Sequence, residues 1–375
     1  MTDKYTFNFP TQIRFGKGVI EELGPHLASK GIKHPLLVSD ATCTKLPFFN
    51  KIEQNLKKNH LQNTVFDQIH KNPIKSDVEK GTAVFHKHKC DAIVGIGGGA
   101  SLDVARAIAL KAHHTRDLFD YEDSKNGAEL VTEEIPYFVT VPTTSGTGSE
   151  VGRSTVISDD VTKQKKILFS PKLMAKIVFA DPELTLELPP QVTAATGMDA
   201  LTHHIEAYLA KGYNPMCDGI ALEGIRLIFK HLPKAFEKGD YESRSGMMMA
   251  ALMGAVAFQK GLGVVHSLAH PLSTVYDVHH GLANAVMLPY GLAFNYPQNE
   301  EKFKNLAQVI SSKDFIQSIK ELSTRLKIPT KLSTLGVEEK NIKTLTKLAV
   351  ADPCHSCNPK AVTENDFIHL YTQAL

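Results

Sequence analysis

Histidine and aspartate recur at helical spacing in two stretches of this chain. In Thr196-Gly197-Met198-Asp199-Ala200-Leu201-Thr202-His203-His204-Ile205-Glu206, Asp199 and His203 are four apart and share one face of the helix that this composition favours. His266 and His270 repeat the spacing in GVVHSLAHP, and His280 follows in DVHHGLANAVMLP. One carboxylate with several imidazoles in apolar surroundings is a ligand set for a divalent transition metal, and iron(II) and zinc both accept it. A lone histidine on an apolar helix is ordinarily a satisfied core residue, but several in two glycine-flanked segments exceed that reading. Spacing leaves His204 and His279 open as further ligands. The Cys354-His355-Ser356-Cys357 run has no second cysteine pair to close a zinc site and reads as a loop.

A second chemistry is written in glycines and hydroxyls. The β-prone run Asp91 to Val94 leads into Gly95-Ile96-Gly97-Gly98-Gly99-Ala100-Ser101-Leu102-Asp103 and then the helix-like VARAIAL. A strand turning on glycines into a helix aims bare N–H groups and the positive end of the helix dipole at one spot, where a diphosphate fits. The run matches the dinucleotide pattern G-x-G-x-x-G/A, although glycines also serve tight helix packing. After the strand PYFVTV, Pro142 to Glu150 supplies hydroxyls and glycines of the kind that flank a ligand crevice of an open sheet. Asp40 closes Leu36-Leu37-Val38-Ser39, where an acid accepts hydrogen bonds from a ribose and repels a 2′-phosphate, favouring NAD over NADP; the same residue could cap a helix. Asp40 precedes the glycine turn, so the topology must be a variant of the standard dinucleotide fold.

These residues need elements to hold them. From about residue 32 to 180, short runs such as HPLLVSD, CDAIVGIG, PYFVTVPTT and KIVFADP alternate with amphipathic stretches, implying βα units and a mostly parallel sheet. Beyond Leu188-Pro189-Pro190 the β-branched runs thin out and helical spacing takes over. A length of 375 residues accommodates two such domains. The 42% hydrophobic share suits a globular protein, and a net charge of +2 gives no field for nucleic acid or an anionic membrane. Five cysteines, an odd number spread widely, suggest reduced thiols in a cytoplasm. The start MTDKYTFNFP lacks a signal-peptide pattern, and the apolar run Met247 to Phe258 is too short to span a bilayer.

Taken in order, the motifs resemble the iron-containing, or group III, alcohol dehydrogenase family, near its lactaldehyde reductase and 1,3-propanediol dehydrogenase members. The likeness begins at Phe9-Pro10-Thr11-Gln12-Ile13-Arg14-Phe15-Gly16 and runs through GGGASLDVA, TVPTTSGTGSEV, DPELTLELPP, TAATGMDALTHHIEAY, GLGVVHSLAHPL and HHGLANAVMLP to Asp352-Pro353-Cys354 and Asn358-Pro359. The resemblance implies a dehydroquinate synthase-like architecture. Its parts are an α/β, Rossmann-like NAD-binding domain over residues 1–185 and an all-helical metal-binding domain over residues 186–375, with the site in the cleft between them.

The resemblance also implies a metal, Fe2+ or alternatively Zn2+, on Asp199, His203, His266 and His280, with His204 and His279 as bystanders. His270 corresponds to a proton-relaying or substrate-contacting histidine. The NAD contacts fall on Asp40, Asn72, Gly97, Gly98, Gly99, Ala100, Ser101, Thr140, Thr143, Thr144, Thr147, Lys165 and Leu184, with Lys163 and Lys166 alternatives to Lys165. The implied reaction is reversible hydride transfer between a small primary alcohol or diol and NAD, with the metal as Lewis acid. The rivals are glycerol dehydrogenase-like polyol oxidation, a dehydroquinate synthase-like lyase, and a non-catalytic NAD- or metal-binding protein. Two positions depart from the family: Ala100 replaces the usual serine of GGGS, and Gly152 stands where many relatives have threonine. A homo-oligomer is implied by analogy, with Gln12 to Phe15 as an edge strand open to pairing.

Overall fold

The computed structural model describes residues 10–375 apart from Lys163. Phe9, where the family likeness starts, the first nine residues of the expected 1–185 domain, and Lys163 lie outside the described residues. The chain divides into two compact units: Pro10–Thr144 with Gly148–Leu186, and Glu187–Leu375 with the short segment Ser145–Thr147.

The first unit carries β1 (Gln12–Phe15), β2 (Pro35–Val38), β3 (Thr64–Phe66), β4 (Ala92–Gly97), β5 (Tyr137–Pro142) and β8 (Ile177–Ala180), with the pair β6 (Ser154–Ser158) and β7 (Lys165–Phe169). Six strands form one sheet in the order β1-β8-β5-β4-β2-β3, every neighbouring pair parallel, while β6 and β7 pair antiparallel on their own. β2, β4 and β8 are buried along their whole length, which explains their unbroken apolar runs: a parallel sheet is covered on both faces. The covering helices are α1 (Leu23–Ser29), α2 (Pro47–Lys58), α3 (Lys75–Lys87) and α4 (Gly99–Lys111), and two separate apolar clusters fill the unit's core.

The strand order accounts for the displaced aspartate. The chain passes from β2 outward to β3, then returns to place β4 on the other side of β2. The order therefore switches direction between β2 and β4, the point where open α/β sheets bind ligands outside the carboxyl ends of their strands. Asp40 follows β2 and the glycine turn follows β4, so strands distant in sequence bring the two side by side. Among the described residues β1 lies at one edge of the sheet, paired with β8.

The second unit contains nine longer helices among the described residues: α5 (Pro190–Leu209), α6 (Pro215–Glu237), α7 (Tyr241–Ala257), α8 (Val264–Tyr276), α9 (His280–Asn295), α10 (Glu300–Val309), α11 (Phe315–Arg325), α12 (Ile342–Ala351) and α13 (Glu364–Ala374). α5 starts on a proline, whose missing N–H costs nothing at that position, and is buried from Thr193 through Leu209. It is the unit's central helix, surrounded by α6, α7 and α9. Glycines set the close approaches: a Cβ on Gly197 would lie 2.3 Å from Leu232 Cδ1, and one on Gly281 would lie 2.2 Å from the Ala195 carbonyl oxygen. Among the described residues no single helix is long and apolar enough to cross a membrane. The segments Tyr241–Lys260 and Val264–Tyr276 are so only as a pair, bent by 111°.

Candidate functional site

All four expected metal ligands belong to the helical unit. Asp199 and His203 sit one turn apart on α5, both buried, with His203 Nε2 4.0 Å from Asp199 Oδ1. His266 comes from the first turn of α8, and His280 is the first residue of α9. Asp199, His266 and His280 each place one ligand atom within 4.8 Å of those of the other two, and His280 Nε2 is 3.5 Å from Asp199 Oδ1. His203 stands beside this triad with its ring stacked on His266 at 4.8 Å between centroids. Burial lowers its pKa to about 4, against the pull of Asp199, and keeps the imidazole in the neutral form a metal needs.

Glu206, two turns along α5 from Asp199, fixes the geometry. Its buried carboxylate accepts hydrogen bonds from Gly263 N at 2.9 Å, Val265 N at 2.7 Å and His266 Nδ1 at 2.6 Å. It thus satisfies two N–H groups where α8 begins and holds the His266 tautomer whose Nε2 lone pair points inward. Burial lowers the His266 pKa, but the hydrogen bond and charge of Glu206, helped by Asp199 and Asp352, raise it overall.

Asn284, one turn beyond His280, places Nδ2 2.7 Å from Asp199 Oδ1 and 3.2 Å from both His266 Nε2 and His280 Nε2. Three lone-pair atoms therefore converge on one point. An amide nitrogen has only two hydrogens to offer them, and Asn284 Oδ1 is itself buried without a hydrogen-bond partner. A divalent cation satisfies such a convergence, and a carboxylate with imidazoles suits iron(II) or zinc.

His270 lies one turn beyond His266 on α8, its ring stacked on His280 at 5.1 Å. Its Nδ1 is 2.6 Å from Asp352 Oδ2, while Asp352 Oδ1 accepts from Ser267 Oγ at 2.7 Å and Cys354 N at 2.9 Å. Burial pushes the Asp352 carboxyl up, but His270, Ser267 and the Cys354 amide hold it well below the usual carboxylate range. His204 points elsewhere: its Nε2 meets the Ala250 carbonyl at 2.8 Å, and its ring fills the space that a side chain on Gly224 would need. His279 precedes α9 as its N-cap residue. Cys354–Cys357 folds as a 3-10 turn, more regular than the expected loop.

In the α/β unit, β4 ends at Gly97, Gly98 is the N-cap of α4, and no side chain caps the helix. The first-turn amides, on Gly99, Ala100 and Ser101, are the groups left for an anion. Gly97 has φ +143°, and a Cβ there would sit 2.7 Å from Ser101 Cβ, so both backbone freedom and close approach require glycine. A Cβ on Gly98 would lie 3.3 Å from the Thr144 side chain, and Thr143 N donates to Gly97 O at 3.0 Å.

Asp40 uses its two carboxylate oxygens differently. Oδ1 accepts from Thr42 N at 2.9 Å and Cys43 N at 3.0 Å as a cap, while Oδ2 faces Ser101 Oγ at 3.4 Å. Ser101 is thereby directed at Asp40. The Thr140 hydroxyl donates to the Glu150 carbonyl at 3.0 Å, and Leu184 is buried in the turn Pro182–Thr185. Asn72 lies ahead of α3, and Lys165 begins β7 with Lys166 reaching Glu122 at 3.4 Å. Thr147 falls in the segment grouped with the helical unit, where Gly146 packs against Thr196.

Comparison with known proteins now decides the family. Residues 10–182 match the family described as iron-containing alcohol dehydrogenase, and residues 193–375 match the Fe-containing alcohol dehydrogenase family, C-terminal. This chain belongs to the iron-containing alcohol dehydrogenase family. Within it, the chain is 37% identical to 4-hydroxybutyrate dehydrogenase of Cupriavidus necator, covering 97% of this chain and 98% of the relative. It is 35% identical to the NAD-dependent methanol dehydrogenase of Bacillus methanolicus, covering 98% and 99%. A crystal structure of 1,3-propanediol oxidoreductase superposes with a TM-score of 0.95 at 34% identity, covering all of both chains.

Several residues that build the site in this iron-containing alcohol dehydrogenase were not singled out from sequence. Glu206 carries a signal, lying seven after Asp199 and three after His203 on the same helical face. Asp352 falls in the motif Asp352-Pro353-Cys354, but nothing in the sequence pairs it with His270, 82 residues away; only the fold does. In the α/β unit, buried Arg106 donates to Asp103, Ser149, the Ser154 carbonyl and the Leu173 carbonyl. Ser149 Oγ donates to Asp103 Oδ1 at 2.6 Å. This cluster ties Ser149, in the stretch Pro142 to Glu150, to α4, and its signal is the i,i+3 acid-base pair inside an otherwise apolar helix.

Proposed function

We propose that this protein is an NAD-dependent, iron-dependent alcohol dehydrogenase that reversibly oxidises small primary alcohols or diols to aldehydes. The observation that carries the reading is the convergence of Asp199, His266 and His280 on one point, with neutral His203 beside them and Glu206 fixing His266. Asp199, His203, His266 and His280 would hold the iron, and the residues around the Gly97–Ser101 turn, with Asp40, Asn72, Thr140, Thr143, Thr144, Thr147, Lys165 and Leu184, would hold NAD. When bound, iron supplies Lewis acidity at the alcohol oxygen and NAD+ accepts the hydride.

The chain's own groups do the rest. The α4 amides bind the diphosphate, and Asp40 Oδ2 is placed for a ribose hydroxyl while excluding a 2′-phosphate. His270 donates Nδ1–H to Asp352, which leaves Nε2 able to take the proton the alcohol loses and pass it on. The relatives' names support this substrate class: 4-hydroxybutyrate, methanol and 1,3-propanediol are all small primary alcohols. The five free thiols fit a cytoplasmic setting, and edge strand β1 fits a homo-oligomer.

The test is anaerobic turnover of metal-stripped protein reloaded with Fe2+ or Zn2+, following NADH with 1-propanol, 1,2-propanediol and 1,3-propanediol. Metal-dependent NADH formation is expected, lost together with metal retention in His266→Ala and His280→Ala. Full activity of a metal-free variant would overturn the reading, and NAD binding without turnover under every loading would point to the lyase or to a non-catalytic role.

A further inference from the structure

Beside the iron ligands lies a second group of ligating atoms that the reaction above does not use as such. His270, Asp352 and Cys354 each offer one, a ring nitrogen, a carboxylate oxygen and a sulfur, all within 4.8 Å of one another. The group is built rather than incidental. Asp352 Oδ1 is taken up by Ser267 Oγ and the Cys354 amide, which leaves Oδ2 turned to His270. Ser267 is held in turn by His355 N, which donates to its Oγ at 2.9 Å. The cluster can be reached by an ion: the side chains of His270 and Asp352 retain 16% and 12% exposure, and Cys354 is half-buried.

We propose that His270, Asp352 and Cys354 form a second divalent-metal site, for a thiophilic ion such as Zn2+ or Cd2+, whose occupation switches the enzyme off. The ligand chemistry separates it from the iron site. One thiolate selects borderline and soft ions, whereas a carboxylate with imidazoles and no sulfur does not. Three protein ligands and a water complete the four-coordinate arrangement that zinc prefers. Thiolate and carboxylate together cancel the charge of the ion. Binding replaces the S–H bond of Cys354 with a metal–sulfur bond and releases that proton to solvent. The His270 proton moves from Nδ1 to Nε2, so the ring stays neutral and nothing is oxidised or reduced. Before the ion arrives, burial and the neighbouring Asp352 charge keep the thiol protonated.

Inhibition follows from geometry and rests on the role of His270 given above. An ion on the ring nitrogen breaks the 2.6 Å bond to Asp352, and the relocated proton blocks the Nε2 acceptor. The site itself does not depend on that role, and the experiment keeps the two apart.

Iron-loaded protein is titrated anaerobically with Cd2+ while three signals are read: the ultraviolet thiolate-to-cadmium charge-transfer band, the 113Cd NMR resonance, and alcohol oxidation. The expected result is a band that saturates at one added equivalent, a resonance typical of a single sulfur ligand, and loss of turnover in step with the band. Cys354→Ser should lose the band and resist inhibition, while Cys357→Ser keeps both. Cadmium displacing iron gives no band, because that site has no sulfur. A band that survives Cys354→Ser, a band lost in Cys357→Ser, or a resonance showing no sulfur or two would overturn the proposal; the resonance reads wild-type protein and stands even where a variant fails to fold. If the band forms as described in protein that oxidises no alcohol, the site holds and the proposed function fails. Normal turnover without a band gives the reverse.

Discussion

At the scale of single residues, the groups that position the ligands matter as much as the ligands. Glu206 neutralises two helix-start amides and fixes His266 through one carboxylate, so its removal disturbs both at once. Glu206→Gln is expected to weaken iron binding by roughly 10- to 100-fold, the usual effect of losing such a partner, measured by competition with a chelator. Glu150, buried in the α/β unit with Oε1 lacking a partner, has its pKa pushed up to about 7 by burial, against the opposing charge of Arg106. The folded state therefore keeps a proton that the unfolded chain gives up in the ordinary carboxyl range. This contribution is fully present below that range and is lost as pH rises through about 7, by up to about 3 kcal/mol. Urea unfolding of wild type and Glu150→Gln across this range checks it: the variant should lack that part of the pH slope, and identical slopes would show that Glu150 ionises normally.

At the scale of elements, the metal centre is a problem of helix separation. The proposed ligands come from α5, α8 and α9, and α9 approaches α5 closely because residue 281 has no side chain. A Cβ on Gly281 would stand 2.2 Å from the Ala195 carbonyl and 3.1 Å from Asp199 Cβ, and neither the central helix nor its backbone can yield cheaply. Gly281→Ala should therefore push α9 away, separating His280 from Asp199. The expected outcome is a destabilisation of roughly 1 to 3 kcal/mol together with loss of retained iron, read by denaturant unfolding and metal analysis. Retained iron in a destabilised variant would show that the ligands follow the shift. The α/β unit solves a similar problem at Gly95, where a Cβ would lie 2.8 Å from Ala105 Cβ and hold α4 off its strand. The glycine run thus serves helix packing at Gly95 and, at Gly97, a positive-φ turn against Ser101 at the start of α4, where the proposed NAD diphosphate would sit.

For the whole molecule, each unit has its own core: one continuous apolar cluster in the helical unit, and two in the α/β unit. The proposed iron ligands all come from the helical unit, so bound iron is expected to stabilise that unit's folded state by mass action. At free iron about 100 times its dissociation constant the gain is ~2.7 kcal/mol, enough to raise the unit's thermal transition by several degrees. Anaerobic calorimetry with and without Fe2+ should show this shift, and the same addition to His266→Ala should not.

The sequence by itself determined the periodicities, and with them the elements. The short, β-branched apolar runs at β2, β4 and β8, bounded by turn residues, read as strands covered on both faces, and the i,i+4 pairs Asp199–His203 and His266–His270 share a face of any helix that holds them. Local chemistry fixed the glycine turn as well, because a strand that turns on glycines into a helix is specified by consecutive residues. Tertiary structure alone decided which of these groups meet. His204 has the same spacing credentials as His203 but faces the Ala250 carbonyl, because adjacent helical positions differ by about 100° in direction. Asp40 reaches Ser101 only because β2 and β4 are neighbours in the sheet, and Asp352 reaches His270 across 82 residues of chain. Such pairings depend on strand order and helix packing, which arise from the burial of many apolar side chains at once and leave no mark in the spacing of the residues they bring together.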